Sequence, residues 1–183
     1  MNGGSIHDNT AGCHGGGIGS RGSATVNGGE IYNNIAKYDG GGVYTSSLTM
    51  NGGSIHDSTA GRYGGGVGHD SYLWTFKMYG GEIRDNYAGN SGGGVYAAAS
   101  NTWNTVAHHW LVSGRITGNT AARNGGGVVL GQYPSITTGE TRIYGVSAAA
   151  IRNIATTTST LRAWNRLPSM TECSPQPPSN LSI

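Results

Sequence analysis

Five glycine triplets fix what this chain can fold into. They lie at residues 15–17, 40–42, 64–66, 92–94 and 125–127. An isoleucine stands nine residues before each one: Ile6, Ile31, Ile55, Ile83 and Ile116. A glycine pair or its remnant precedes each isoleucine: Gly3-Gly4, Gly28-Gly29, Gly52-Gly53, Gly80-Gly81 and Ser113-Gly114. An alanine follows each by five residues: Ala11, Ala36, Ala60, Ala88 and Ala121. Successive isoleucines are 25, 24, 28 and 33 residues apart, and all the variation falls after the triplet. A constant block with one variable corner is what a stacked solenoid coil produces when a single turn carries the insertions.

Within each coil, period-two alternation predicts three short strands, as in Glu30-Ile31-Tyr32, Gly42-Val43-Tyr44 and Leu48-Thr49-Met50. The inward columns expected from it are the isoleucines, Ile18/Val43/Val67/Val95/Val128, Ala24/Leu48/Phe76/Trp110 and Val26/Met50/Met78/Val112. No segment has helical periodicity, and glycine is costly in a helix. The fold class is therefore all-β, a right-handed parallel β-helix with one coil per repeat. Paired strands are spaced about 4.8 Å apart, so five coils make a rod of roughly 24 Å.

The domain expected from the pattern spans residues 1–155, with five clear coils and a sixth, decayed one. Residues 146–155 read as a worn copy of 26–36. Residues 156–183 lose the pattern and become Ser/Thr/Pro-rich, as a loosely ordered tail does. Glycine accounts for 34 of 183 residues, a composition that alone would allow disorder. A net charge of only +2 and the strict period argue for a stacked fold instead.

One column is polar and central: Asn9, Asn34, Ser58, Asn86 and Asn119, three residues past each isoleucine. An asparagine amide both donates and accepts, so a stack of them forms an internal ladder. Here the reading is structural rather than catalytic.

The pattern Gly-Gly-x-Ile-x-x-Asn-x-Ala followed by Gly-Gly-Gly-Val resembles the repeats of bacterial surface proteins with pectin-lyase-like β-helices. It is also similar to the repeats of polymorphic outer-membrane adhesins. The likeness covers residues 1–130 and fades from 131. It implies an extracellular or cell-surface protein with an adhesive or structural role. No signal peptide stands at the start of this sequence.

The variable corner is where specific function is expected, because insertions on one face of a solenoid often build its binding surface. Residues 68–75 and 96–109 supply His69, Asp70, Tyr72, Trp74, Trp103, His108 and His109 as candidate ligand-binding residues. Exposed aromatic rings there would stack on a sugar or a partner protein; the competing reading is that they pack the longer loops onto the rod. A metal site built from the histidines is disfavoured, because adjacent residues on a strand point to opposite faces. The acid-bearing column Asp8/Asn33/Asp57/Asp85/Gly118 sits at a turn and offers no calcium cage beside a base. Neither a catalytic residue nor a cofactor is expected.

The leading expectation is a non-enzymatic structural or adhesive module that displays its corner loops to a glycan or protein. The alternatives are a polysaccharide-lyase-like enzyme and a fibre subunit that associates end to end. No basic stripe supports nucleic-acid binding, and no apolar run is long enough to span a membrane. The sequence opens in mid-repeat, so a section of a longer array is expected rather than an open end that pairs with a second copy. Cys13 and Cys173 are expected as unpaired thiols.

Overall fold

The structure, a computed structural model, describes residues 1–69, 75–99, 107–132, 141–144 and 154–156. The described residues contain strands and no helix. Every strand pairing is parallel, and the pairings build four sheets along one solenoid.

Each coil contributes one strand to each sheet. Sheet A holds the isoleucines in β1 (Ser5–His7), β5 (Glu30–Tyr32), β9 (Ser54–His56), β13 (Glu82–Arg84) and β17 (Arg115–Thr117). Sheet B holds the alanines in β2 (Thr10–Ala11), β6 (Ile35–Ala36), β10 (Thr59–Ala60), β14 (Tyr87–Ala88) and β18 (Thr120–Ala121). Sheet C follows the glycine triplets with β3 (Ile18–Gly19), β7 (Val43–Thr45), β11 (Val67–His69), β15 (Val95–Ala99), β19 (Val128–Gln132) and β21 (Ile154–Thr156). Sheet D closes the coil with β4 (Ser23–Val26), β8 (Ser47–Met50), β12 (Thr75–Met78), β16 (Ala107–Leu111) and β20 (Thr141–Tyr144).

The coil therefore has four strands, not the three that the alternation predicts. The extra one is the two-residue strand of sheet B, too short to show a period. It begins after a sharp corner in which Asp8, Asn33, Asp57 and Asp85 adopt φ of 58°, 53°, 50° and 54°, with Gly118 at 67° in the fifth coil. Only glycine, asparagine and aspartate visit this left-handed region routinely. The backbone thus explains the acid-bearing column, which sits at a turn as the sequence indicates.

Register is constant along sheet A: Ile6, Ile31, Ile55, Ile83 and Ile116 are paired in line. Ile31, Ile55 and Ile83 are fully buried, together with Val43, Val67, Val95 and Val128 of sheet C. Burying an aliphatic side chain of this size contributes about 1.5–3 kcal/mol. Each of these isoleucines stands between two isoleucines, and Val67 and Val95 between two valines, while Val43 is paired with Ile18 on one side. The glycine triplet lets the coils approach. Gly40 turns the chain at φ 68°, and a Cβ on Gly41 would sit 2.3 Å from the carbonyl oxygen of Gly65 in the next coil.

Two inward columns differ from expectation in the fifth coil. Phe76 pairs with His109 and Met78 with Leu111, so His109 and Leu111 take the core positions expected for Trp110 and Val112. His109 is fully buried, whereas Val112 is 47% exposed. The offset to the isoleucine explains this. Ala24, Leu48, Phe76 and His109 each lie seven residues before it. The backbone keeps this count constant even where it draws a histidine into the core. Trp110 instead faces outward beside Lys77, whose ammonium lies 5.0 Å from the indole ring.

In the sixth coil, β21 sets Ile154 against Val128, in the valine column of sheet C. The proposed match of 146–155 to 26–36 would have placed Ile154 at the position of Ile35, in sheet B. Cys13 is disulfide-bonded, contrary to the expected free thiol. The chain's other cysteine, Cys173, lies outside the described residues, as does the tail from 157 onward.

Candidate functional site

The insertions all lie at one corner, between sheets C and D. Residue 46 alone separates β7 from β8. Residues 70–74 separate β11 from β12, residues 100–106 separate β15 from β16, and residues 133–140 separate β19 from β20. Of the seven candidate ligand-binding residues, Asp70, Tyr72, Trp74 and Trp103 lie outside the described residues, and so does the side chain of His108. His69 ends β11, half-buried, with its ring 6.1 Å from that of Tyr96. His109 is withdrawn from this surface into the core. Among the described residues, no three His, Cys, Asp or Glu side chains converge as metal ligands.

The asparagine column forms the expected ladder, and Asn34, Asn86 and Asn119 each reach back to the coil before. Asn34 donates to Ile6 O at 2.9 Å, Asn86 to Ile55 O at 3.0 Å and Asn119 to Ile83 O at 2.8 Å. Their Oδ1 atoms accept from the backbone N–H of Asn9, Ser58 and Asn86 at 3.1, 3.0 and 3.0 Å. Asn34, Asn86 and Asn119 are buried, so each amide replaces the solvent that a coil corner would otherwise need. Ser58 is the weak link: its hydroxyl accepts from Asn34 N at 3.3 Å and donates to its neighbour His56 O at 3.0 Å.

A cluster unforeseen in the sequence occupies the corner between sheets B and C. Asp39 is buried there. Arg62 donates to it twice, from Nη2 at 2.9 Å and Nε at 3.3 Å, and Tyr63 N donates at 3.2 Å. His14 Nδ1 approaches Asp39 Oδ2 at 3.2 Å, close enough for an ion pair but outside hydrogen-bond alignment. Burial is the largest single influence on Asp39 and works to raise its pKa. The His14 and Arg62 contacts and their charges together outweigh it and hold the carboxyl below the usual carboxylate range. Aromatic rings enclose the group. His14 stacks on Tyr44 at 4.5 Å, Arg62 lies 4.7 Å over Tyr38, and Tyr63 stacks on Tyr96 at 4.4 Å.

This corner has a two-coil rhythm. In coils one and three a large ring, His14 or Tyr63, precedes the triplet and a glycine, Gly19 or Gly68, follows it. In coils two and four the order reverses: Asp39 or Ser91 precedes, and Tyr44 or Tyr96 follows. Each large ring then lies over the tyrosine of the next coil, where a second large ring in its own coil would collide with it. Residues 1–19 and 50–68 carry the rhythm in sequence: they differ only at Asn9/Ser58, Cys13/Arg62, His14/Tyr63 and Ile18/Val67. That near-identity is the signal that could have revealed it.

The outer face of sheet A carries a second polar array. His7, Tyr32 and His56 stack at 4.8 and 5.1 Å. His7 and His56 each place Nδ1 near the following aspartate, at 2.6 Å from Asp8 and 2.7 Å from Asp57. A serine lies two residues before each histidine on the same face. Even so, His56 Nε2 is buried with no hydrogen-bond partner, so Ser54 is not poised as a nucleophile. Glu82 bridges to Arg115 at 3.6 Å, as expected for rung neighbours. No protein-family model, curated protein or solved structure matches the chain.

Proposed function

We propose that the chain is a non-enzymatic structural and adhesive module of a bacterial cell-surface or secreted protein. It acts as a stiff spacer that presents its variable corner to a glycan or a protein. One observation carries this reading: four parallel sheets hold constant register while the length differences collect between sheets C and D. A frame bonded coil to coil through buried amides changes little when that corner changes. Selection can then vary a binding surface without disturbing the core.

The polar clusters that the frame contains also support a passive role. Asp39 accepts hydrogen bonds from Arg62 and Tyr63 N and stands 3.2 Å from His14 Nδ1, which ties three coils together. The rings around it face one another, which suits packing better than capture of a ligand.

The test is binding of the full chain to arrays of glycans and of candidate surface proteins. A Trp74→Ala/Trp103→Ala variant should lose binding while keeping its strand-type circular dichroism. Trp110→Ala, on the packed outer face of sheet D, should bind as the parent does. Equal binding by all three chains would remove the variable corner as the adhesive surface.

A further inference from the structure

We propose that the corner between sheets D and A is a self-modification site. There Asn2, Asn27 and Asn51 convert to aspartate and isoaspartate at rates graded by their place in an external amide ladder. The column lies four residues before each isoleucine and continues as Tyr79 and Val112. Asn27 Nδ2 donates to Asn2 Oδ1 at 2.7 Å, and Asn51 Nδ2 donates to Asn27 Oδ1 at 2.7 Å. All three side chains are exposed to water.

The fold itself creates the reactive step. A Cβ on Gly28 would lie 3.2 Å from Asn2 O, one on Gly52 2.7 Å from Asn27 O, and one on Gly80 2.6 Å from Asn51 O. Stacking therefore favours glycine at 28, 52 and 80, whereas Gly3 meets nothing within 4 Å and Ser113 takes this place in the fifth coil. Where the column residue before the glycine is asparagine, an Asn-Gly step results. Glycine leaves its own amide nitrogen unshielded, so that nitrogen can attack the preceding Cγ. A bond forms between glycine N and Cγ, and the bond from Cγ to Nδ2 breaks. The proton of the glycine N–H leaves with the nitrogen as ammonia. Water then opens the cyclic imide at either carbonyl, giving aspartate or isoaspartate. Water is the sole co-reactant, and nothing is oxidised or reduced.

The ladder has a direction, and the direction sets the order. Asn2 only accepts within the ladder. The Asn27 donor polarises its carbonyl toward attack, its leaving nitrogen is untied, and the aspartate product still accepts from Asn27 through a charge-assisted bond. Asn27 and Asn51 are donors. Their leaving nitrogens are tied, and a carboxylate in either place would set two acceptor oxygens against each other. Asn51 is held further, because Gly52 N, the attacking atom, also donates to Val26 O at 3.4 Å.

The experiment follows the four Asn-Gly steps of the full chain, including Asn124-Gly125, by peptide mass mapping in mildly alkaline buffer. A parallel sample is kept in denaturant. Unfolded, the four steps should react at similar rates. Folded, Asn2 should convert ahead of Asn27 and Asn51, which should slow by roughly three- to tenfold, the worth of one net hydrogen bond. Conversion of Asn27 and Asn51 as fast in the folded as in the unfolded chain would overturn the proposal, as would Asn2 reacting last. Asn27→Ala isolates the ladder from general burial: it should release Asn51 and speed its conversion. An unchanged Asn51 rate in that variant also refutes the graded protection.

Discussion

Asn86 donates from Nδ2 to the carbonyl oxygen of Ile55, 3.0 Å away in the preceding coil. The same side chain accepts from Ser58 N at 3.0 Å, so one buried amide satisfies a backbone acceptor and a backbone donor together. Asn86→Ala leaves both groups buried and unpaired. Each such group costs about 1–3 kcal/mol, so a loss of roughly 2–6 kcal/mol is expected in urea unfolding monitored by circular dichroism. Asn9→Ala, at the exposed end of the ladder, should cost less than 1 kcal/mol or about that. Equal losses at the two positions would show that the ladder does not carry the frame.

Ser58 interrupts the ladder, and restoring it should help. A Ser58→Asn side chain has a register-equivalent acceptor in Ile31 O, as Asn34 has in Ile6 O. Gly42 stands beside it as Gly17 stands beside Asn34. The expected gain is about 1 kcal/mol, the net worth of one added hydrogen bond. A rise in thermal midpoint checks it, and a fall would mean that the site lacks the room.

The glycines differ sharply in what they tolerate. A Cβ on Gly65 would meet the carbonyl oxygens of Gly93 and Tyr87, each at 2.4 Å. Backbone has no rotamer with which to give way, so Gly65→Ala should prevent the coils from closing, and the folded chain should be lost from soluble expression. A Cβ on Gly22 would find nothing nearer than Ser20 Oγ at 3.7 Å. Gly22→Ala should be neutral or gain a few tenths of a kcal/mol through the unfolded chain. The pair, measured side by side, separates glycines that the stacking requires from those that merely occupy a loop.

Much of this architecture is legible in the sequence because the solenoid repeats its constraints. Ile31 and Ile55 share a column and an offset, so the core and the Asn34–Asn86 ladder follow from counting. Hydropathy and the repeat count disagree in the fifth coil, and the structure follows the count. The constant seven-residue offset points to His109, whereas hydropathy points to its more apolar neighbour Trp110. Sheet B was hidden for a different reason, since strands as short as Thr59–Ala60 cannot display a period. The Asp39 cluster was hidden because it is assembled from three coils: His14, Asp39 and Arg62 lie more than twenty residues apart and form no local motif.

That cluster gives the chain a pH dependence of stated sign. The carboxyl of Asp39 titrates below its ordinary value of 3.8 in the folded chain. A depressed folded pKa means that the contribution to stability is complete above the unfolded pKa and is lost as pH falls through the folded one. The contacts with Arg62 and His14 should therefore stabilise the chain fully at neutral pH and fade in the acid range below about 4. Asp39→Asn keeps the shape but removes the charge that Arg62 faces, at a cost of about 2 kcal/mol at neutral pH, the worth of a hydrogen bond to a charged group. Urea unfolding of parent and variant across the acid range decides the matter. The gap between them should close as pH falls, because protonation takes from the parent what the substitution has already taken from the variant. A gap that stayed constant into the acid range would mean that Asp39 holds its three coils by shape alone.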